Sequence, residues 1–218
     1  GSSGVLLPGI EGEIVTPEGA PCAAGERGIF VLTRPFPGLT PRLWAEPERY
    51  GRDYWDRVPG RAVYFTGDAT TIDEDGYVWF SGRADEIIKI AAHRIGTIEV
   101  ESAFLTHPAV AEAGVTGRPD ELRGEVIAAF VVLRAGHGPS PALRTELLEA
   151  LRRELGALAV VGDLNFVPLL PKTRSGKIMR RVLKAVVLDR DPGDLSTIEE
   201  EGSVEEAREA WRAMRAEV

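Results

Sequence analysis

The feature that most limits what this chain can fold into is a change of apolar pattern near residues 83–85. Across residues 9–79 the apolar residues come in short runs cut by Pro and Gly: Ile14-Val15, then residues 28–32, then Ala62-Val63-Tyr64-Phe65. Runs of that length, bounded by residues that interrupt regular backbone, read as small strands. Asp73-Glu74-Asp75-Gly76 leads into Tyr77-Val78-Trp79-Phe80, and Asp75-Gly76 is expected to supply the positive φ angles of a tight hairpin. That acidic turn lacks the later ligands and closing glutamate of a calcium loop. Trp44, Trp55 and Trp79 sit among apolar neighbours and are expected to pack.

After residue 85 helices and strands alternate. Gly96-Thr97 opens a short amphipathic helix carrying Ile98, Glu101 and Leu105, stopped by His107-Pro108. Residues 110–116 and 126–133 read as strands joined by a polar turn over 117–124. Ser140-Pro141 is an N-cap followed by proline at the first helical position, and Leu143, Leu147, Leu151 and Leu155 then share one helix face. A strand over 164–167 and a helix over 178–188 follow. Ser203-Val204-Glu205-Glu206 has the form of a capping box, opening a last helix with Val204, Ala207, Trp211 and Met214 inward. The fold class is therefore α+β, a β-rich segment followed by a small sheet flanked by helices.

Composition narrows the partners. Lys and Arg number 26 against 34 Asp and Glu, a net charge of −8, which argues against nonspecific grip on nucleic acid or an anionic membrane. Any anionic ligand must meet a local basic site. With one cysteine, Cys22, no internal disulfide forms, and a reducing, cytoplasmic setting is the expectation. Cys22 has no histidine nearby in sequence and reads as a silent thiol. No apolar run reaches the roughly 18 to 20 residues of a membrane span, and no basic start precedes an apolar stretch as in a secretory signal. Gly1-Ser2-Ser3-Gly4 has the composition of an expression scar, which composition alone leaves open.

The strongest local signal is Pro171-Lys172-Thr173-Arg174-Ser175-Gly176-Lys177-Ile178-Met179-Arg180. Proline and glycine bracket a loop able to lift a lysine clear of the surface as a mobile point charge. Such a charge suits the place where a carboxylate oxygen attacks phosphorus. The plain alternative is a basic surface patch made of Lys172, Arg174, Lys177, Arg180, Arg181 and Lys184.

This segment resembles the lysine loop of the adenylate-forming, AMP-forming acyl-CoA ligases, in their acetate-activating branch. Thr66-Gly67-Asp68 is similar to that family's ribose-binding turn, Gly82-Arg83-Ala84-Asp85 to its hinge, and His93-Arg94-Ile95-Gly96 to the loop that follows. Leu7-Pro8-Gly9-Ile10 and Gly25-Glu26-Arg27-Gly28 fit its β-subdomain. Gly1-Ser2-Ser3-Gly4 falls in register with a family Gly-Ser stretch, which weakens the scar reading. Arg34-Pro35-Phe36-Pro37-Gly38, residues 140–181 and Gly193-Asp194-Leu195-Ser196-Thr197 resemble the acetate branch in particular.

The resemblance implies a division into residues 1–84, the end of the large AMP-binding domain; 85–190, a mobile lid; and 191–218, a helical tail. It implies ATP and CoA as co-substrates, acetate as the acid, and Mg2+ held mainly by residues upstream of this chain. Lys177 is implied to bridge the carboxylate and the α-phosphate, Asp68 to hold ribose, Arg83 to contact nucleotide phosphate, and Arg94 to serve adenylation. Rotation about Asp85 is then implied to withdraw Lys177 and bring residues 88–94 to the site for attack by CoA. Ala91 and Ala92 would line the pantetheine path, and Arg152 would meet the CoA 3′-phosphate. A lysine acetyltransferase and deacetylase acting on Lys177 would be natural regulators, because acetylation erases its charge.

Two departures stand out. The family's usual small residue and glycine before the His-Arg pair are Ala91 and Ala92 here, and a Cβ narrows a backbone-lined path. Val160-Val161-Gly162 replaces a stretch that typically carries proline. The family's phosphate loop, its adenine and magnesium residues and its acyl pocket have no counterpart in these residues, so the chain alone is expected not to make acetyl-AMP. Three alternatives remain open: a ligase for propionate, a carrier-loading adenylation domain, or a non-catalytic module. His93 reads as a structural hydrogen-bonding residue, without the ligands of a metal site.

Overall fold

The computed structural model describes residues 1–91 and 93–216 and divides into two compact units, Gly1–Asp85 and Glu86–Val218. In the first, β1 (Gly12–Val15), β2 (Arg27–Leu32), β3 (Tyr64–Ile72) and β4 (Val78–Arg83) form an antiparallel sheet in that order. Its apolar runs are continuous because both faces are covered. Val15, Ile29, Val31 and Phe65 pack with Val58 and Val63 in one cluster, while Ile14, Phe30, Leu32 and Tyr64 belong to a second. The period-2 alternation of side chains along a strand requires this split. Ser3 donates from its amide to the Val78 carbonyl, and Val78 donates back to Gly4, so the opening residues add a rung to β4.

The β3–β4 turn forms where expected, but only Gly76 takes a positive φ, of 84°. Asp73 does the remaining work. Its Oδ1 accepts from the Asp75 and Tyr77 amides and its Oδ2 from Trp79 Nε1, contacts that hold the carboxyl below the usual carboxylate range. Between β2 and β3 lies a one-turn helix α1 (Pro47–Tyr50) followed by a π-helical turn, Gly51–Trp55. Of the three tryptophans expected to pack here, only Trp55 does so against a ring, edge-on to Tyr64. Trp44 is 90% exposed and Trp79 is 42% exposed, because apolar neighbours in sequence are not neighbours in space.

The second unit comprises β5 (Ile88–Ile90), β6 (His93–Ile95), α2 (Thr97–Leu105), β7 (Val110–Asp120), β8 (Gly124–Leu133), α3 (Pro141–Leu155), β9 (Val161–Phe166), α4 (Arg180–Val187) and α5 (Gly202–Ala216). Strand β8 is central. It pairs antiparallel with β7 along its whole length, parallel with β9, and with β5 at Gly124. Alternate residues of β8 feed two cores: Ile127, Ala129 and Val131 face one with α2 and α3, while Ala128, Phe130 and Val132 face one with α4 and α5.

Strands β7 and β8 run through the stretch expected as a polar turn, leaving only residues 121–123 between them. Cross-strand chemistry explains the extension: Arg118 is paired with Asp163 of β9, and Asp120 Oδ1 caps the turn by accepting from the Leu122 and Arg123 amides. In α2 the buried face is Val100, Ala103 and Phe104, whereas Ile98 and Leu105 are 43% and 45% exposed, so the expected face is rotated. Ser140 caps α3, its Oγ accepting from the Leu143 amide at 3.1 Å. Ser203 does not cap α5. The helix starts at Gly202, and the Ser203 hydroxyl donates to the Glu200 carbonyl instead. Val204, Ala207 and Trp211 are buried as expected, and Met214 packs against the same core.

Candidate functional site

Thr66-Gly67-Asp68 is a bulge. Ile29 pairs with Ala69 and Val31 with Phe65, so Phe30 alone on β2 faces these three residues on β3. Each member has a physical task. Thr66 Oγ1 donates to the Phe30 carbonyl at 2.8 Å and accepts from the Asp68 amide at 3.1 Å, satisfying groups that the bulge removes from the ladder. Gly67 takes φ +79°, and a Cβ there would run into the Arg83 guanidinium. A second irregularity sets the partner strand: Ala69 pairs with Gly82 and Thr70 with Phe80, leaving Ser81 as the extra residue and Gly82 at φ 111°.

These two irregularities bring Arg83 opposite Asp68. Arg83 NH1 donates to the Thr66 carbonyl at 2.8 Å and to Asp68 Oδ1 at 3.2 Å, while its Nε faces Asp85 at 3.4 Å. Asp68, Arg83 and Asp85 thus form one cluster within the first unit, with the Asp85 carboxylate well exposed at 77%. The Asp68 carboxylate keeps acceptor capacity beyond this single contact.

In the second unit, β5 and β6 make an antiparallel hairpin in which Ile90 pairs with His93. Ala91 takes φ 54°, the left-handed conformation that such turns demand and that glycine adopts most readily. Its amide donates to the Arg123 carbonyl at 2.7 Å. Ala92 lies outside the described residues, so its place on a pantetheine path is a matter of sequence alone. His93 and Arg94 follow in β6, both exposed, with Arg94 cross-strand from Lys89. Arg152 is exposed in the last turn of α3.

The lysine loop is a miniature sheet rather than a loose loop. Lys172 bridges Ile178, the Thr173 amide donates to the Lys177 carbonyl, and the Gly176 amide returns to the Thr173 carbonyl with Gly176 at φ 80°. Thr173 Oγ1 also accepts from the Lys177 amide at 3.2 Å. On its other side the tail adds a strand: Thr173 bridges Ile198, Arg174 donates to the Thr197 carbonyl, and Glu199 donates to the Lys172 carbonyl. Because Ile178 is spent in this ladder, α4 starts at Arg180, two residues later than the sequence pattern implied.

The basic patch resolves into anchors around two exposed charges, Arg174 and Lys177. Lys172 Nζ binds Glu112 at 2.9 Å, which raises its pKa. Arg181 donates to the Pro192 and Asp194 carbonyls, and Lys184 faces Glu125 at 3.7 Å. Arg180 is gripped twice: Nε and NH2 reach Glu101 Oε1 and Oε2 at 2.7 and 2.6 Å, and NH1 reaches Glu86 Oε2 at 3.0 Å. The Glu101 contact, ahead of the opposing effect of burial, lifts the Arg180 pKa further above its ordinary value. Lys177 stands exposed at the loop.

Sequence reasoning missed the Arg180 cluster. The available signal was Glu101, a carboxylate within a helix whose neighbours Val100, Ala103 and Phe104 are apolar; a buried charge must have a partner. Elsewhere the expectations divide between the units. Lys177 is tied to the α4 and α5 core through Ile178 and Met179, while α3, which carries Arg152, packs on the opposite face of the sheet. Among the described residues no three His, Cys, Asp or Glu side chains are grouped so as to hold a metal ion. The Cys22 thiol is pushed up by burial and by Glu26, away from a reactive thiolate. No helix among the described residues is long and apolar enough to cross a membrane.

Residues 99–177 match the model of the AMP-binding enzyme C-terminal domain. Over its full length the chain corresponds to the C-terminal part of acetyl-coenzyme A synthetases. It is 50% identical over 218 residues to the acetyl-coenzyme A synthetase of Pyrobaculum arsenaticum, covering all of this chain and 32% of that relative. It is 48% identical over 210 residues to the 3-hydroxypropionyl-coenzyme A synthetase of Sulfurisphaera tokodaii, covering 95% of this chain and 31% of that one. The chain thus spans about a third of the length of the curated relatives it matches. Among solved structures, an anthranilate CoA ligase in complex with anthranoyl-AMP aligns with TM-score 0.74 and 33% identity over 86% of this chain and 35% of that one. Acetoacetyl-CoA synthetase from Streptomyces lividans aligns over all of this chain and 32% of its own with TM-score 0.83 at 23% identity, a likeness of fold.

Proposed function

We propose that this chain is the C-terminal part of an AMP-forming acetyl-CoA synthetase, which converts acetate, ATP and CoA to acetyl-CoA, AMP and diphosphate through acetyl-adenylate. In this reading residues 1–84 complete the large AMP-binding domain, 85–190 are the mobile lid, and 191–218 are a tail. The observation that carries the proposal is Lys177, exposed on a loop whose two legs are anchored through Lys172 and Arg180. An ammonium presented this way offsets the charge that develops as the carboxylate oxygen meets the α-phosphate. Asp68 accepts from the ribose hydroxyls, Arg83 beside it steadies that carboxylate and contacts phosphate, and Arg94 serves adenylation. Magnesium, supplied with ATP, takes its ligands from the rest of the enzyme.

The thioester step is assigned to the β5–β6 hairpin at Ala91 and to Arg152, with Asp85 as hinge. Their support is that the lysine loop and α3 lie on opposite faces of the second unit's sheet, so one domain can present different groups in turn. Exposure of Lys177 also suits reversible acetylation by a modifying enzyme. The single cysteine favours a reducing, cytoplasmic setting.

The test is Lys177→Ala in the parent enzyme. ATP–pyrophosphate exchange with acetate should fall about a hundredfold or more, while acetyl-CoA formation from supplied acetyl-adenylate persists. Unchanged exchange would end the proposal. The 48% identity to a 3-hydroxypropionyl-coenzyme A synthetase favours a second reading of the acid, and comparing acetate with 3-hydroxypropionate in the same exchange assay separates the two.

A further inference from the structure

Arg180 lies three residues beyond Lys177, and its guanidinium is held from two sides. Glu101 of α2 takes it in a bidentate fork and Glu86, the residue after Asp85, takes the remaining nitrogen. Glu101 is itself fixed, since its Oε1 accepts from the Val115 amide of β7 at 3.0 Å. The side chains are 18%, 8% and 24% exposed for Arg180, Glu101 and Glu86. Holding α4 on the sheet does not require this cluster, because Val182, Leu183, Val186 and Val187 already bury that helix. Buried ion pairs whose partners are both replaced by uncharged side chains in general lose little stability, whereas removing one partner alone strands a buried charge. What a planar fork supplies, and an apolar contact does not, is direction.

We infer that Arg180 is a positioning residue for adenylation, setting where Lys177 is delivered by fixing the downstream leg of its loop to α2 and to the segment beside the hinge. The inference rests on the reading of Lys177 given above. The loop leaves the sheet on two legs. Lys172 is pinned to Glu112 of β7 on one, and Arg180 to Glu101 and Glu86 on the other. Lys177 sits between these anchors with four rotatable side-chain bonds of its own, so only the placement of its backbone is under the fold's control. Reactions of positioned groups lose up to about a hundredfold for a misplacement of about 1 Å, so a loosened leg reduces turnover even when the lysine is intact. Glu86 adds a link to the residue next to Asp85, so the segment expected to move and the segment carrying the charge share one guanidinium.

The test uses Arg180→Met made together with Glu101→Gln, so that no buried carboxylate is left unpaired, and Arg180→Lys, with Glu86→Gln as a milder change that leaves the Glu101 fork in place. In the chain itself, hydrogen exchange of the Gly176 and Lys177 amides should quicken about tenfold or more in both Arg180 variants, while amides of residues 127–131 in β8 keep their protection. In the parent enzyme both Arg180 variants should lower kcat for ATP–pyrophosphate exchange about tenfold or more with KM for ATP unchanged, and leave thioester formation from supplied acyl-adenylate intact. Arg180→Lys should not rescue, because an ammonium cannot form the fork. Equal loss of both half-reactions together with β8 protection would mark a merely structural role and overturn the inference. So would unchanged exchange at Gly176 and Lys177, or unchanged adenylation kcat. If instead Lys177→Ala itself leaves adenylation untouched, the functional reading falls separately.

Discussion

Gly114 offers the sharpest test of how the lysine loop is seated. It lies on β7 opposite Phe130, and a Cβ there would stand 2.8 Å from Leu183 Cδ1, 3.2 Å from Ile178 Cγ2 and 3.4 Å from Leu170 Cδ1. Carbon atoms rest about 3.5–4.0 Å apart, so Leu183 would have to give by about 0.7 Å or more. Leu183 and Leu170 are 0% and 1% exposed, which leaves them no solvent to move into. Overpacking of this kind costs about 1–3 kcal/mol. Against that, alanine in a strand regains about 0.5–1 kcal/mol of the conformational entropy that glycine loses on folding. Gly114→Ala should therefore destabilise the second unit by about 1 kcal/mol and at most about 2.5 kcal/mol, and a valine there by more. Thermal unfolding followed by far-UV circular dichroism is suitable, because α2, α3, α4 and α5 all belong to that unit. A drop in midpoint of about 3–6 °C is expected. Ile178 is the residue after Lys177, so Gly114→Ala should also disturb delivery of the lysine in the parent enzyme. A midpoint equal to or above that of the wild type would refute the packing argument.

Three further outcomes follow from particular contacts. Gly67→Ala forces a left-handed alanine, costing about 1–2 kcal/mol, and displaces Arg83 from Thr66 and Asp68; urea unfolding read by the tryptophans of the first unit should show the loss, and unchanged stability would contradict the bulge geometry. Ala91→Gly relieves the same strain in the β5–β6 turn and should stabilise the second unit by up to about 1 kcal/mol after glycine's own entropy cost; a fall in its thermal midpoint would count against the positive φ at Ala91. Lys172 has a folded pKa raised by Glu112 above the ordinary lysine value, so its contribution is fully present below about pH 10 and is lost as pH rises through the folded value. The stability gap between wild type and Lys172→Met should thus be flat from about pH 7 to 9 and close at higher pH, with a size of about 0.5–1 kcal/mol because the pair is partly exposed; a gap that closed toward acid instead would reverse the assignment.

Local pattern determined a good deal of this protein. The Ser140-Pro141 cap, the leucine face of α3 and the inward face of α5 are short-range consequences of helix period and cap chemistry, which act over a few positions wherever the chain sits. The lysine loop is likewise legible, because proline and glycine mark backbone that ordinary residues avoid, whereas the Thr66-Gly67-Asp68 turn is legible only by its resemblance to a family motif. Tertiary structure decided the rest. Glu101 and Arg180 are 79 residues apart, and nothing local says that a carboxylate on α2 will be buried against a guanidinium on α4. The tail's pairing at Thr173–Ile198 and the exposure of Trp44 are of the same kind. Burial depends on which distant element covers a side chain, and a charge brought out of water must find its partner wherever the fold has placed it.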